Sequence, residues 1–244
     1  MFNVLRAAPK TTFEYGPFKI RRMRPGLILP DAGDEAFGPL SVIDHATLDV
    51  GTMVTLHEHN NDEILSYLWR GSMVHEDAAG HRVALSPKKL MMMNAGKSIW
   101  HEESTPLVAT EMLQIFIRPR KADLESRVQF MERPEGIGVD HWTMLAAPEG
   151  INSPLEIHQA VYVYDIRLEK DSTTAIPSHP GFAQWLYVMD GEITLDEYRL
   201  EKGDAISDVA SGLPVAKASR ESTLVCFLVL LGAEASLAGT ISGT

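Results

Sequence analysis

The sequence predicts an all-β protein built of two similar barrels in tandem. Three features carry this expectation. Short runs rich in β-branched, aromatic and apolar residues recur along the chain, separated by Gly, Pro, Asn and Asp. The pattern of one half is echoed in the other. Between the halves lies a stretch rich in Gly, Pro and acid.

In chain order the strand candidates are SYLW (66–69), SMVHE (72–76), RVAL (82–85), LMMM (90–93) and LVATEMLQIFIRP (107–119). AVYVYDIRL (160–168), QWLYVMDG (184–191), EITLDEYRL (192–200) and TLVCFLVLL (223–231) follow. The turns between them include DAAGH, NAGK, PEGIG, EKGD and SGLP. Many short strands with frequent turns indicate a sandwich or barrel rather than alternating β/α units. One short helix is expected, at KADLESRVQF (121–130), after Arg118-Pro119 ends a strand. The echo pairs YLWRGSMVHEDAAGHRVALSPKK with YVMDGEITLDEYRLEKGD, each with a glycine four residues after a tyrosine. Two barrels over residues 1–130 and 131–244 follow, joined through MERPEGIGVDHWTMLAAPEG (131–150).

Composition narrows the function. The 244-residue chain is 45% hydrophobic and 23% charged, as expected of a folded globular protein. Its net charge of −11 argues against a grip on nucleic-acid phosphates, and the basic patches KIRRMR (19–24) and RPRK (118–121) read as solvated faces. The one cysteine, Cys226, sits in an apolar strand and reads as a core thiol. MFNVLRAAPK lacks the apolar core of a signal peptide, and the longest apolar run, Leu224 to Leu231, is far short of a membrane span. The expectation is a cytoplasmic protein that contacts neither membrane nor nucleic acid directly.

Chemistry concentrates in two pairs. His57-x-His59 lies in HEHNNDEILSYLWRG, and His101-x-Glu103 lies in IWHEES. Residues two apart on a strand face the same way, so each pair can aim both side chains at one point. Together they supply three imidazoles and a carboxylate, a normal set for a divalent transition metal. The same parity favours Glu103 over Glu102. Glu63 is the competing carboxylate: it can replace Glu103 as ligand, orient a histidine from outside, or sit in solvent. His75 and His81, flanking the EDAAG turn, read as solvent-facing. His45, His141 and His158 have no partner at metal spacing and read as structural. Met91, Met92 and Met93 read as core, and alternation turns Trp100 away from the face of His101. In the second half, the position matching His57 is Pro177, so His179 lacks a partner and no metal is expected there.

The setting of these pairs resembles the cupin fold, with Gly51, the His-x-His, Glu63, Gly71, and then a glycine turn before another histidine. More closely, the sequence is similar to the pirin family and its bacterial quercetinase-like members. His57, His59, Glu63, Tyr67 and Gly71 match the family's first motif; Ala95, Gly96, Ile99, His101 and Glu103 match its second. LQIFIRP, FGPLSVIDH and HPGFAQWLYVMDGEITLDEYRLEKGD resemble further segments, the last being the degenerate second cupin. The sequence departs from the family at Glu58, Asn60, Asn61, Lys88, Lys89 and Ser98.

The resemblance implies a mononuclear non-haem metal on His57, His59, His101 and Glu103. Iron is foremost, with manganese, cobalt, nickel, copper or zinc compatible. It also implies a dioxygenase acting on a quercetin-type aromatic substrate and dioxygen, with Glu103 as catalytic base. The alternative is a non-catalytic metal-binding regulator acting through a protein partner.

Overall fold

A computed structural model describes residues 2–7, 12–30 and 33–243. Met1 and residues 8–10 of the stretch MFNVLRAAPK lie outside the described residues. Four antiparallel-dominated sheets form two barrels, each made of one seven-stranded and one four-stranded sheet. In the first barrel the large sheet runs Arg127–Glu132, Lys89–Asn94, Glu63–Arg70, Thr110–Ile117, Leu40–Leu48, Phe18–Met23, Phe13–Tyr15. The small sheet runs Met53–His59, Ile99–Ser104, Met73–Asp77, Arg82–Leu85. In the second barrel the large sheet is centred on Ala183–Asp190, Ser222–Val229 and Val161–Leu168. Asn3–Leu5 forms its edge, paired with Ala205–Asp208. Every strand expected from sequence is present. Among the described residues no helix is long and apolar enough to cross a membrane.

The helix expected at 121–130 does not form. Residues 121–126 are irregular, and Arg127–Glu132 is a strand paired with Lys89–Asn94. Val128 and Phe130, two apart, turn to the interior cluster of the first barrel. Edge pairing, with Val128 and Phe130 on one cluster and Met131 on another, thus overrides a weak local helix preference. The connection between the barrels is also shorter than expected, because Thr143–Pro148 is already a strand of the second large sheet.

The two large sheets pack against each other, and this explains their continuous apolar sequences. Along Ser222–Val229, Leu224, Cys226 and Leu228 fill the second barrel, while Val225, Phe227 and Val229 face the first. Along Thr110–Ile117, Met112 and Phe116 fill the first barrel, while Leu113, Ile115 and Ile117 face the second. A strand buried on both faces loses the polar alternation of a half-exposed one. Met91, Met92 and Met93 are all fully buried, and Met92 points to the opposite side from its two neighbours.

Polar contacts cross this interface in a symmetric pair. Tyr67 Oη donates to Asp165 Oδ2 at 2.9 Å, and Tyr187 Oη donates to His45 Nδ1 at 2.7 Å. Tyr67 and His45 flank Leu113 in register; Tyr187 and Asp165 flank Val225 in the same way. The tyrosine–glycine echo is therefore a structural repeat, in which each barrel sends its tyrosine into the other. Gly71 and Gly191, at φ 80° and 96°, close the equivalent turns. Arg133 joins the first pair, reaching Asp165 Oδ2 at 2.6 Å with both side chains buried.

Candidate metal centre

The small sheet of the first barrel positions the candidate ligands. His57 and His59 lie on its edge strand, Met53–His59, and His101 and Glu103 lie on the neighbouring strand, Ile99–Ser104. His101 stands directly opposite His57, and Ile99 opposite His59. The ring centroids of His57 and His101 are 4.4 Å apart, those of His57 and His59 5.0 Å, and those of His59 and His101 5.3 Å. One donor nitrogen from each of the three lies within 4.8 Å of the others, close enough to share one cation.

Glu103 is not within this group of donor atoms, although it lies two residues from His101 on the same strand. The pairing of the two strands slips between His101 and Glu103, so that Glu103 opposes Val54 rather than Thr55. The extra residue is a bulge in the edge strand, where Thr55 and Leu56 are both exposed. On its other side Glu103 opposes His75 in unbroken register. Glu103, His101 and His75 form a second group of donor atoms within 4.8 Å of one another. His101 therefore belongs to both groups. His75 is fully buried, contrary to the solvent-facing position expected for it. Alternation on Met73–Asp77 turns it inward with Met73, two residues before it. His81 does reach solvent.

Each of the three clustered histidines has one nitrogen committed. His57 Nδ1 donates to the Thr55 carbonyl oxygen at 2.9 Å, and His59 Nδ1 donates to Asp62 Oδ2 at 3.0 Å. His101 Nδ1 lies 3.3 Å from His75 Nδ1, while His75 Nε2 bonds Asp77 Oδ2 at 3.1 Å. Asp77 can only accept, so His75 carries its proton on Nε2 and offers the Nδ1 lone pair to His101. With Nδ1 engaged in each ring, Nε2 is the atom left to face a metal. Burial holds His57, His75 and His101 below the usual histidine range, His101 to about 2, keeping these imidazoles neutral. Burial raises the Glu103 carboxyl to about 7, with His59 pulling the other way.

The donor set fits a divalent cation on a further ground. His101 Nε2 and Glu103 Oε1 are buried and have no hydrogen-bond partner among the described residues. Two unpaired buried polar atoms in one cluster are costly unless a ligand satisfies them.

Glu63 takes no part in either group. Its Oε2 accepts from Asn94 Nδ2 at 2.6 Å and from the His158 backbone N–H at 2.9 Å, and its Oε1 lies 3.3 Å from His158 Nδ1. It is a buried link between the barrels, which none of the three sequence readings anticipated. His158 and His45, read from the sequence as structural, both make their contacts at the inter-barrel face. Trp100 lies on the outer face of its strand, half-exposed. His179 packs against Tyr162 and Phe182 in the second barrel. Asp62 and His75 are the participants that sequence reasoning missed. Their signals were present: Asp62 stands three residues after His59, and His75-x-Asp77 repeats the spacing of the other pairs.

Comparison with known proteins agrees with this architecture. Residues 18–117 match the family described as Pirin, and residues 144–227 match the quercetinase C-terminal cupin domain. A quercetin 2,3-dioxygenase from Escherichia coli K12 is 26% identical over 174 residues, covering 70% of this chain and 74% of its own. Human pirin is 27% identical over 146 residues, covering 56% and 50%. The crystal structure of the bacterial pirin YhhW from Escherichia coli, in complex with nickel(II), superposes with a TM-score of 0.80 at 20% identity, covering 94% of this chain and 99% of that one. The two family matches fall one on each barrel, the first spanning both histidine pairs, and on these grounds the chain is a bicupin of the pirin family.

Proposed function

We propose that the first barrel binds one divalent transition metal through His57, His59, His101 and Glu103, and that the protein is a metal-dependent dioxygenase of flavonol-like, quercetin-type substrates. The observation that carries this reading is the convergence of three imidazoles, each with Nδ1 engaged, beside two unpaired buried donor atoms. The family supports the reaction class, since similar proteins are quercetin 2,3-dioxygenases. Iron is the first choice; manganese, cobalt, nickel, copper and zinc suit the same donors. A nickel(II) complex of YhhW is consistent with that range. A metal bound here would supply Lewis acidity and, if redox-active, access to dioxygen.

The protein's own residues do the rest. His57 is the most exposed of the four candidate ligands and lies on an edge strand, so substrate reaches the cluster from its side. Glu103, beside His101 in the cluster, is placed to take a hydroxyl proton from an enolic substrate as general base. Phe116 lies with its ring centroid 6.0 Å from that of His59 and gives the interior an apolar wall that excludes water. The lone buried Cys226 fits a reducing, cytoplasmic setting.

The test begins with untagged protein. Wild type should carry about one metal per chain by elemental analysis, with loss in His57→Ala, His101→Ala and Glu103→Ala. Protein loaded in turn with iron, manganese, cobalt, nickel and copper should then consume oxygen with quercetin, and His101→Ala should not. Metal retention without oxygen uptake under any loading would replace this reading with that of a metal-binding regulator.

A further inference from the structure

The segment 239–242 reaches back from beyond the second barrel and docks beside the histidine cluster of the first. Its main contact is Asp62, a fully buried carboxylate. Asp62 Oδ1 accepts from the Ser242 backbone N–H at 2.9 Å and the Ser242 hydroxyl at 2.7 Å, and the Ile241 N–H lies 3.2 Å from both oxygens. The remaining direction of Oδ2 is taken by His59 Nδ1. One carboxylate thus holds a candidate metal ligand on one side and this segment on the other.

The segment is built to stay there. Ser242 is fully buried, and its carbonyl oxygen accepts from Ser41 Oγ at 2.8 Å and Arg118 Nε at 2.7 Å. Thr240 N–H donates to the Asn60 carbonyl oxygen at 2.9 Å, and Asn60 N–H donates to Thr240 Oγ1 at 2.8 Å. Ile241 packs onto the cluster of Val42, Ile64, Met93 and Phe116. A Cβ on Gly239 would lie 2.6 Å from Asp62 Oδ1, so only glycine allows this approach. On the far side of the loop, Asn60 Nδ2 bonds Glu58 Oε1, which also accepts from Ser98 Oγ at 2.6 Å. Glu58, Asn60 and Ser98, three of the six positions read from the sequence as departures from the family pattern, therefore form one network joined to the docked segment.

We propose that Asp62 is a positioning residue for His59 and that segment 239–242 is a clamp that sets Asp62, so that docking of the segment and metal affinity are coupled. The proposal rests on the reading that His57, His59 and His101 bind a metal. Without the clamp, Asp62 would be a buried carboxylate deprived of its backbone and hydroxyl donors, and it would turn toward water and release His59. Outer partners of metal-bound histidines typically contribute about 10- to 100-fold in affinity.

The experiment uses the full untagged chain and Co(II), whose ligand-field spectrum reports ligand orientation. Affinity is measured by competition with a chelator for wild type, Asp62→Ala, a chain ending after Ala238, and the two changes combined. The expected result is a loss of about 10- to 100-fold in each single variant, an altered Co(II) spectrum, and no further loss in the combination. Gly239→Val, which displaces the segment by its side chain alone, should reproduce the effect and carries the test if the shortened chain does not fold. Wild-type affinity and spectrum in Asp62→Ala and Gly239→Val, or additive losses in the combination, would overturn the coupling while leaving the metal site standing. Absence of His101-dependent Co(II) binding in wild type would instead remove the metal reading itself, and the clamp with it.

Discussion

Replacing His75 with leucine isolates the support of one candidate ligand from the ligand itself. His75 Nδ1 receives the proton of His101 Nδ1 at 3.3 Å, and Asp77 fixes His75 from behind. Leucine removes the acceptor and leaves a buried imidazole N–H unpaired, a cost of about 1–3 kcal/mol. At about 1.4 kcal/mol per factor of ten, that is roughly 5- to 150-fold in metal affinity. The range brackets the 10- to 100-fold usual for such partners. Chelator competition on untagged protein measures it, with thermal unfolding of the apoprotein as a check on the fold. His75→Gln, whose side-chain carbonyl can accept the same proton, should recover part of the loss. Unchanged affinity in His75→Leu would refute the argument from tautomer control. A loss as complete as that of His57→Ala would refute it differently, by making His75 a ligand.

Three further predictions concern the frame that holds the site. Burial raises the Glu111 carboxyl, but hydrogen bonds from His45 and Lys202 outweigh it and bring it down to about 2. A depressed folded-state pKa contributes stability above the unfolded value near 4.5 and loses it as pH falls toward 2. The urea midpoint of Glu111→Gln should therefore fall less steeply than that of wild type across this window; parallel curves would disprove the linkage. Arg133→Met should lower stability by about 3–5 kcal/mol by stranding Asp165, and Arg133→Met with Asp165→Leu should regain much of it in urea unfolding. A double variant no more stable than the single would contradict this. Gly71→Ala places a Cβ onto the Ala109 carbonyl at φ 80°. Strain alone costs about 1–3 kcal/mol, so the thermal midpoint should drop by about 2–12 °C at roughly 2–4 °C per kcal/mol; an unchanged midpoint would show that the turn adapts.

Strand parity made much of the candidate cluster visible in advance. It placed His57 with His59 and His101 with Glu103, because period two is a local property of the backbone. The bulge at Thr55–Leu56 was not legible, since a register slip is set by pairing with another strand. That slip sets Glu103 opposite Val54 instead of Thr55. His75 itself was misplaced because a turn nearby suggested solvent, whereas alternation on its strand turns it inward with Met73. Glu63 shows the opposite case: it matches a motif position, yet its partners Asn94 and His158 are distant in sequence. The barrels were legible from apolar runs and turns, and the continuous character of TLVCFLVLL signalled burial on both faces. The lost helix at 121–130 reflects a short segment whose outcome was decided by an available sheet edge.

The crossed tyrosines bear on how such a chain can change over time. Tyr67 and Tyr187 make the chain equivalent to a dimer whose two copies have been tied together and can no longer exchange. Once tied, the copies are free to specialise. The second barrel supplies half of the shared apolar face, so the interface is held fixed while its interior is freer to drift. Selection on the first barrel's centre is then partly borne by residues of the second that never approach it, and a binding pocket could be engineered into the second interior with the first left intact.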